Sequence, residues 1–189
     1  MGAPFVGETP ASGDPPSALM IGRIARSEGY KGHDAVIAAW PRVLERIPGA
    51  QLRIIGPCDM HDELLARAPE RVEILGAVGE EEKERYLADC RVMALPSRGE
   101  GFGLVYLEAM RMGRPCIVSN VDAGREVVGD AGLAVDPSDL AQLASALIRS
   151  LTAGPEWKTW SLAARARYES RYTEAHFRDR LLSAVTVLS

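Results

Sequence analysis

The chain has 189 residues, 25% of them charged and 47% hydrophobic, with a formal net charge of −4. That length fits one large domain, or one domain with a tail, and supplies enough apolar side chain for a sizeable core. The balance excludes a global basic field aimed at nucleic acid, and no run approaches the roughly 18 apolar residues of a membrane span.

The first residues, Met1-Gly2-Ala3-Pro4-Phe5-Val6, carry neither the basic nor the apolar region of a signal peptide. A myristoylation motif would want Ser or Thr where Val6 stands. Cys58, Cys90 and Cys116 are odd in number and widely spaced, with no metal or redox spacing. They read as reduced, mostly buried thiols of a cytoplasmic protein.

Residues 1–17 are rich in Gly, Pro, Ser and Thr without periodicity, which predicts a linker or disordered tail ahead of a domain over 18–189. Short, apolar, punctuated runs then follow: Leu19 to Gly22, Gln51 to Gly56, Val72 to Gly76, Val92 to Pro96, Pro115 to Ser119 and, more weakly, Gly132 to Val135. Each has the form of a buried parallel strand. Helical spacing lies between them. Val36, Ile37, Trp40, Val43, Leu44 and Ile47 mark the first helix, which Pro41 is expected to kink or restart. Leu64-Leu65, Tyr86-Leu87, Leu107 to Met110, and Leu140, Leu143, Ala144 and Leu147 mark others. After Thr152 the strands stop and two helices are expected, Pro155 to Tyr172 and Glu174 to Leu188. Thr173 is the candidate N-cap of the last, and Phe177, Leu181, Val185 and Leu188 are its apolar stripe. Strand and helix alternate, so the fold class is α/β: a parallel sheet of about six strands covered by helices, plus C-terminal helices.

The stretch Gly99-Glu100-Gly101-Phe102-Gly103-Leu104, with Glu108 shortly after, stands out. Its glycines leave backbone N–H groups uncovered at an expected helix start near Gly103, a place that favours an anion. Upstream, Arg23 follows the first strand and Lys31 opens the first helix. Open parallel sheets bind ligands beyond the carboxyl ends of their strands, so two phosphates could meet two cations there. Alone, that pair is equally a solvated loop. A glycosidase-like carboxylate pair would stand about 5–9.5 Å apart across one bond. Here Glu100 precedes the expected helix and Glu108 falls about two turns into it, which suggests separate duties. Glu108 would face a ribose diol and Glu100 a sugar hydroxyl, as pure acceptors; each alone is equally an exposed residue without a ligand.

His33, His61 and His176 lack metal-ligand spacing, and no acidic cluster suits a protein-held Mg²⁺. His33 could reach the phosphates, although a surface place near a helix start is the plainer expectation. No G-x-S-x-G, P-loop or complete G-x-G-x-x-G is present, which argues against hydrolase, NTPase and dehydrogenase chemistry.

Taken together and in order, Gly22-Arg23, Tyr30-Lys31-Gly32-His33-Asp34, Ile54-Ile55-Gly56, Leu75-Gly76, Tyr86 to Cys90, Leu95-Pro96-Ser97, Glu100 to Leu104, Leu107 to Met110, Gly113-Arg114-Pro115 and Glu126 to Gly129 resemble the carboxyl-terminal, donor-binding domain of group 1 glycosyltransferases (family 4, GT-B fold, retaining). The match runs from about Leu19 to about Val187. The resemblance implies a Rossmann-like sheet with helices on both faces. It implies that Arg23 and Lys31 bind the donor's diphosphate, that Glu100 contacts the transferred sugar and that Glu108 holds the ribose. It further implies that the backbone of Gly101, Phe102, Gly103, Leu104 and Val105 faces sugar and phosphate, and that Gly56-Pro57 and Ala77-Val78 wall the nucleobase pocket. Family members need no protein-bound metal, since the two cations replace its charge. They pair this domain with an amino-terminal acceptor domain, which this sequence lacks; the acceptor would be a glycan, lipid or small molecule, and contact with the inner membrane face would come through that missing half. Two other functions stay open: a nucleotide-sugar-binding module without turnover, and half of a GT-B-type sugar-nucleotide epimerase.

Overall fold

The computed structural model describes residues 14–99 and 101–187, without the side chains of 181 and 184–187. Within them, six strands form one sheet: β1 (Ser17–Ile21), β2 (Gln51–Ile55), β3 (Val72–Gly76), β4 (Val92–Leu95), β5 (Cys116–Ser119) and β6 (Gly132–Val135). They are the six apolar runs of the sequence. All pairings are parallel and the order is β3-β2-β1-β4-β5-β6. β1 and β4 are wholly buried, as strands covered on both faces must be.

The helices are α1 (His33–Arg46), α2 (His61–Arg67), α3 (Glu80–Asp89), α4 (Leu104–Arg111), α5 (Gly124–Val128), α6 (Leu140–Leu151), α7 (Pro155–Arg171) and α8 (Glu174–Val187), with a 3-10 segment at Arg26–Lys31. α1 packs against α6, and α4 packs against α5 and α7. Right-handed crossovers place these two groups on opposite faces of the sheet. The fold is thus Rossmann-like, with the strand order reversing between β1 and β4.

Three features differ from expectation. α1 runs unbroken through Pro41 rather than restarting there; the apolar face carrying Val36, Ile37, Trp40 and Val43 is buried and holds the helix together. The short helix α5 had no apolar period long enough to announce it. His33 is buried, 5% exposed, rather than at the surface.

Thr173 does cap α8: the His176 amide donates to its Oγ1 at 3.4 Å. In the expected stripe of that helix Phe177 is 69% exposed. Leu188 and the side chains of Leu181 and Val185 lie outside the described residues. Cys90 and Cys116 are buried, Cys58 is partly so, and none is in a disulfide. Among the described residues no helix is long and apolar enough to cross a membrane.

Candidate functional site

The reversal of strand order opens a crevice at the carboxyl ends of β1 and β4, where a ligand of such a sheet is expected. Beyond β1 the chain keeps pairing with the segment after β2. The Gly22 amide donates to Ile55 O, the Ile24 amide to Pro57 O and the Asp59 amide to Ile24 O. The two segments approach so closely that a Cβ on Gly56 (φ 143°) would run into the Gly22 carbonyl, so glycine is required there. This pairing brings Asp59 to Arg23.

The 3-10 segment then lifts the chain over the sheet and ends at Gly32 (φ 83°), whose backbone lies against Pro96 at the end of β4. That contact sets Lys31 beside the second half of the site. There the glycine turn leads to Gly103 (φ 72°) and into α4. α4 is anchored by fully buried Tyr106, whose hydroxyl donates to Leu95 O at 2.8 Å. A cavity of about 370 Å³ results, lined by Ile21, Gly22, Lys31, Leu95 and residues 101–105. One lysine ammonium and one helix N-terminus therefore share a single concave site, and both attract an anion.

Of the residues singled out from sequence, Lys31, Gly101, Phe102, Gly103, Leu104 and Val105 line this cavity together. Arg23, Gly56, Val78 and Glu108 stand outside its lining. Glu100 lies outside the described residues. α4 begins at Leu104, as expected to within a residue, which makes Glu108 its fifth residue rather than one two turns in.

The two cations are not bare. Glu28 reaches both: its Oε2 is 2.6 Å from Lys31 Nζ, and its Oε1 is 3.9 Å from Arg23 Nε. Arg23 also pairs with Asp59 at 3.5 Å. The Lys31 side chain is only 16% exposed, against 51% for Arg23, so only Arg23 fits the solvent-facing loop expected for both. His33 sits behind them. Burial first, then the nearby Lys31, lowers its pKa to about 4, so at neutral pH it adds no third positive charge.

Glu108 has a partner that sequence spacing could not indicate. Lys83 of α3 donates to its Oε1 at 3.1 Å and pairs with Glu80 at 2.9 Å. Burial works against the lysine's charge, but the hydrogen bonds to Glu80 and Glu108 outweigh it and raise its pKa. The other oxygen of Glu108, Oε2, is buried without a hydrogen-bond partner among the described residues. Because the Lys83 amide donates to Gly79 O, this trio is fastened to the turn that carries Val78. Phe102 is likewise braced from a distance, edge-on against Tyr172 with centroids 6.2 Å apart.

Fold and site together define a parallel α/β domain with a crevice at its switch point, lined by Lys31 and the N-terminus of α4. Residues 15–153 match the family model described as "Glycosyl transferases group 1". Glycogen synthase of Mycobacterium tuberculosis is 35% identical over 159 residues, which is 80% of this chain and 37% of that protein. Phosphatidyl-myo-inositol mannosyltransferase of Mycolicibacterium smegmatis is 34% identical over 152 residues, 77% of this chain and 38% of that protein. Among solved structures, sucrose-phosphate synthase of Thermosynechococcus elongatus superposes with a TM-score of 0.75 at 30% identity, over 92% of this chain and 46% of that one. HepE of Anabaena, solved with UDP and glucose, superposes with a TM-score of 0.76 at 20% identity, over 90% of this chain and 48% of that one. The chain spans less than half the length of each of these proteins. It belongs to the group 1 glycosyl transferase family, and its fold is that of one domain of a GT-B enzyme.

Proposed function

We propose that this chain is the donor-binding domain of a retaining, family 4 glycosyltransferase. It takes a nucleoside diphosphate sugar and, together with an acceptor-binding amino-terminal domain, passes the sugar to a glycan, lipid or small molecule. The observation that carries this reading is the shared cavity at the switch point. Lys31 enters from the loop after β1, and the N-terminus of α4 enters from the loop after β4. A leaving diphosphate gains negative charge as the glycosidic bond breaks, and fixed positive groups in a partly desolvated crevice stabilise that charge.

In this scheme Lys31 and Arg23 neutralise the diphosphate without a protein-bound metal. The backbone of 101–105 faces phosphate and sugar, and Glu100 holds the sugar. Glu108, pinned by Lys83, accepts from the ribose diol, while Gly56 and Val78 border the base. The chain works in the cytoplasm, where its three thiols stay reduced. The relatives support donor transfer over a bare binding module or an epimerase half, since those named above are glycogen synthase and a mannosyltransferase.

A thermal-shift panel of UDP-, GDP- and ADP-sugars tests the assignment. A bound donor raises the melting temperature by mass action, so 100 times Kd of ligand adds about 2.7 kcal/mol. One nucleotide class should shift the transition and the others should not. No shift with any of them would remove the donor-site reading.

A further inference from the structure

Among the described residues, Glu28 is the one side chain that pairs with both Arg23 and Lys31, and the proposed reaction gives it no role. Its two carboxylate oxygens are divided between Lys31 and Arg23. It is 22% exposed, and it lines a second cavity of about 330 Å³ together with Arg26, His33, Asp34, Met60, Glu63 and Arg67. Glu28 therefore stands between the cation pair and open space.

We infer that Glu28 is a resident counter-anion of the donor site. Its carboxylate holds the place that a diphosphate takes over, and so sets how tightly and how selectively diphosphates bind. The inference rests on the donor-site assignment for Arg23 and Lys31. An incoming diphosphate has to break the 2.6 Å pair with Lys31 and then lies near a carboxylate of its own sign, which weakens its binding. A ligand with two phosphates meets both cations and can complete the exchange. A single phosphate meets fewer positive groups and competes less well with the resident carboxylate. The second cavity gives the released side chain room to turn away.

The stem of Lys31 also lies over Gly22, where a Cβ would stand 3.4 Å from Lys31 Cδ, so its aliphatic part has a contact besides the Glu28 pair. Glu28 is accordingly a positioning and selectivity residue, not a catalytic one.

The experiment is calorimetric titration of the whole chain and its Glu28→Gln variant with inorganic pyrophosphate, inorganic phosphate, nucleoside diphosphate and nucleoside, using the base found active in the thermal-shift panel, or UDP, GDP and ADP in turn. The substitution keeps the side chain's shape and one acceptor oxygen, removes the charge and turns the other oxygen into an amide donor. The variant should bind pyrophosphate and the nucleoside diphosphate about three- to tenfold more tightly. It should leave the nucleoside unchanged and lose its advantage as salt is raised. In a Lys31→Ala background the gain should shrink, because the two side chains act on one ligand. Equal or weaker diphosphate binding by Glu28→Gln, or a gain undiminished without Lys31, overturns the inference while leaving the donor site intact. Failure of the unaltered chain to bind any of the phosphates removes the donor-site assignment and this inference with it.

Discussion

Lys83 and Glu108 come from helices that are distant in sequence, and only the crossing of the chain through β4 makes them neighbours. A carboxylate that accepts from a diol, as proposed for Glu108, works best when held in one rotamer, and the hydrogen bond from Lys83 restrains it. Replacing Lys83 by Met keeps the stem and removes the donor. Nucleoside diphosphate binding should weaken by about three- to tenfold, the loss typical of a charge-assisted hydrogen bond. Inorganic pyrophosphate, which has no ribose, should bind as before. Parallel calorimetry with the two ligands checks the contrast, and equal loss for both would place Lys83 in the phosphate site instead. His33 gives a second prediction. Its folded pKa of about 4 lies below the ordinary 6.5. Between those values the unfolded chain binds a proton that the folded chain refuses. Stability linked to this group is therefore fully present above pH 6.5 and is lost as pH falls toward 4, by up to about 3 kcal/mol. Urea denaturation at pH 7 and pH 4.5 should show that loss, and a His33→Leu variant should show less of it than the unaltered chain.

The elements of the fold were largely legible in the sequence, because periodicity and punctuation are local. The six strands are short, mostly apolar runs bounded by Gly, Pro or polar residues; burial on both faces explains β1, β4 and β5, while the edge strands β3 and β6 are only partly buried. Pro41 misled because a local rule for helix breaking met a helix whose apolar side is wholly buried. The site was legible wherever one segment supplied the groups, as in the glycine turn before α4. It was not legible where two segments meet. Glu28 between Arg23 and Lys31, Lys83 on Glu108, and Tyr172 against Phe102 are contacts made by topology, and no spacing encodes them. Gly32 joins the two kinds of information. At φ 83°, with Pro96 O 2.7 Å from where a Cβ would sit, it fastens the loop of Lys31 to the end of β4. Gly32→Ala should cost roughly 2 kcal/mol or more in chemical denaturation, from left-handed strain together with the clash. It should also weaken pyrophosphate binding, because Lys31 is the next residue. A variant as stable as the original would mean that the loop can move off β4 freely.

At the scale of the molecule, the proposed function makes this crevice one wall of a cleft, and a transfer reaction needs two. The acceptor oxygen has to be held against the anomeric carbon with water excluded, and such positioning is worth about 7–11 kcal/mol of barrier. The described residues offer a cavity beside Lys31 and the N-terminus of α4. Phe102 and Leu104, at 46% and 67% exposed, stand at its rim, and Phe177 and Leu182 leave apolar surface on α8 at 69% and 59% exposed. Surface of this kind is what an opposing domain would cover. The chain alone should therefore bind a donor and transfer nothing beyond slow hydrolysis. Adding an amino-terminal domain from a group 1 relative, in trans or fused ahead of residue 14, should restore transfer if the interface is compatible. A radiolabelled-donor assay, run on the chain alone and on the chain with that domain, decides the point. Transfer by the chain alone at rates near the ~10 s⁻¹ of an ordinary enzyme would show that the acceptor site is already present on this domain. Donor binding without transfer, followed by turnover once the second wall is supplied, is the outcome the proposed function predicts.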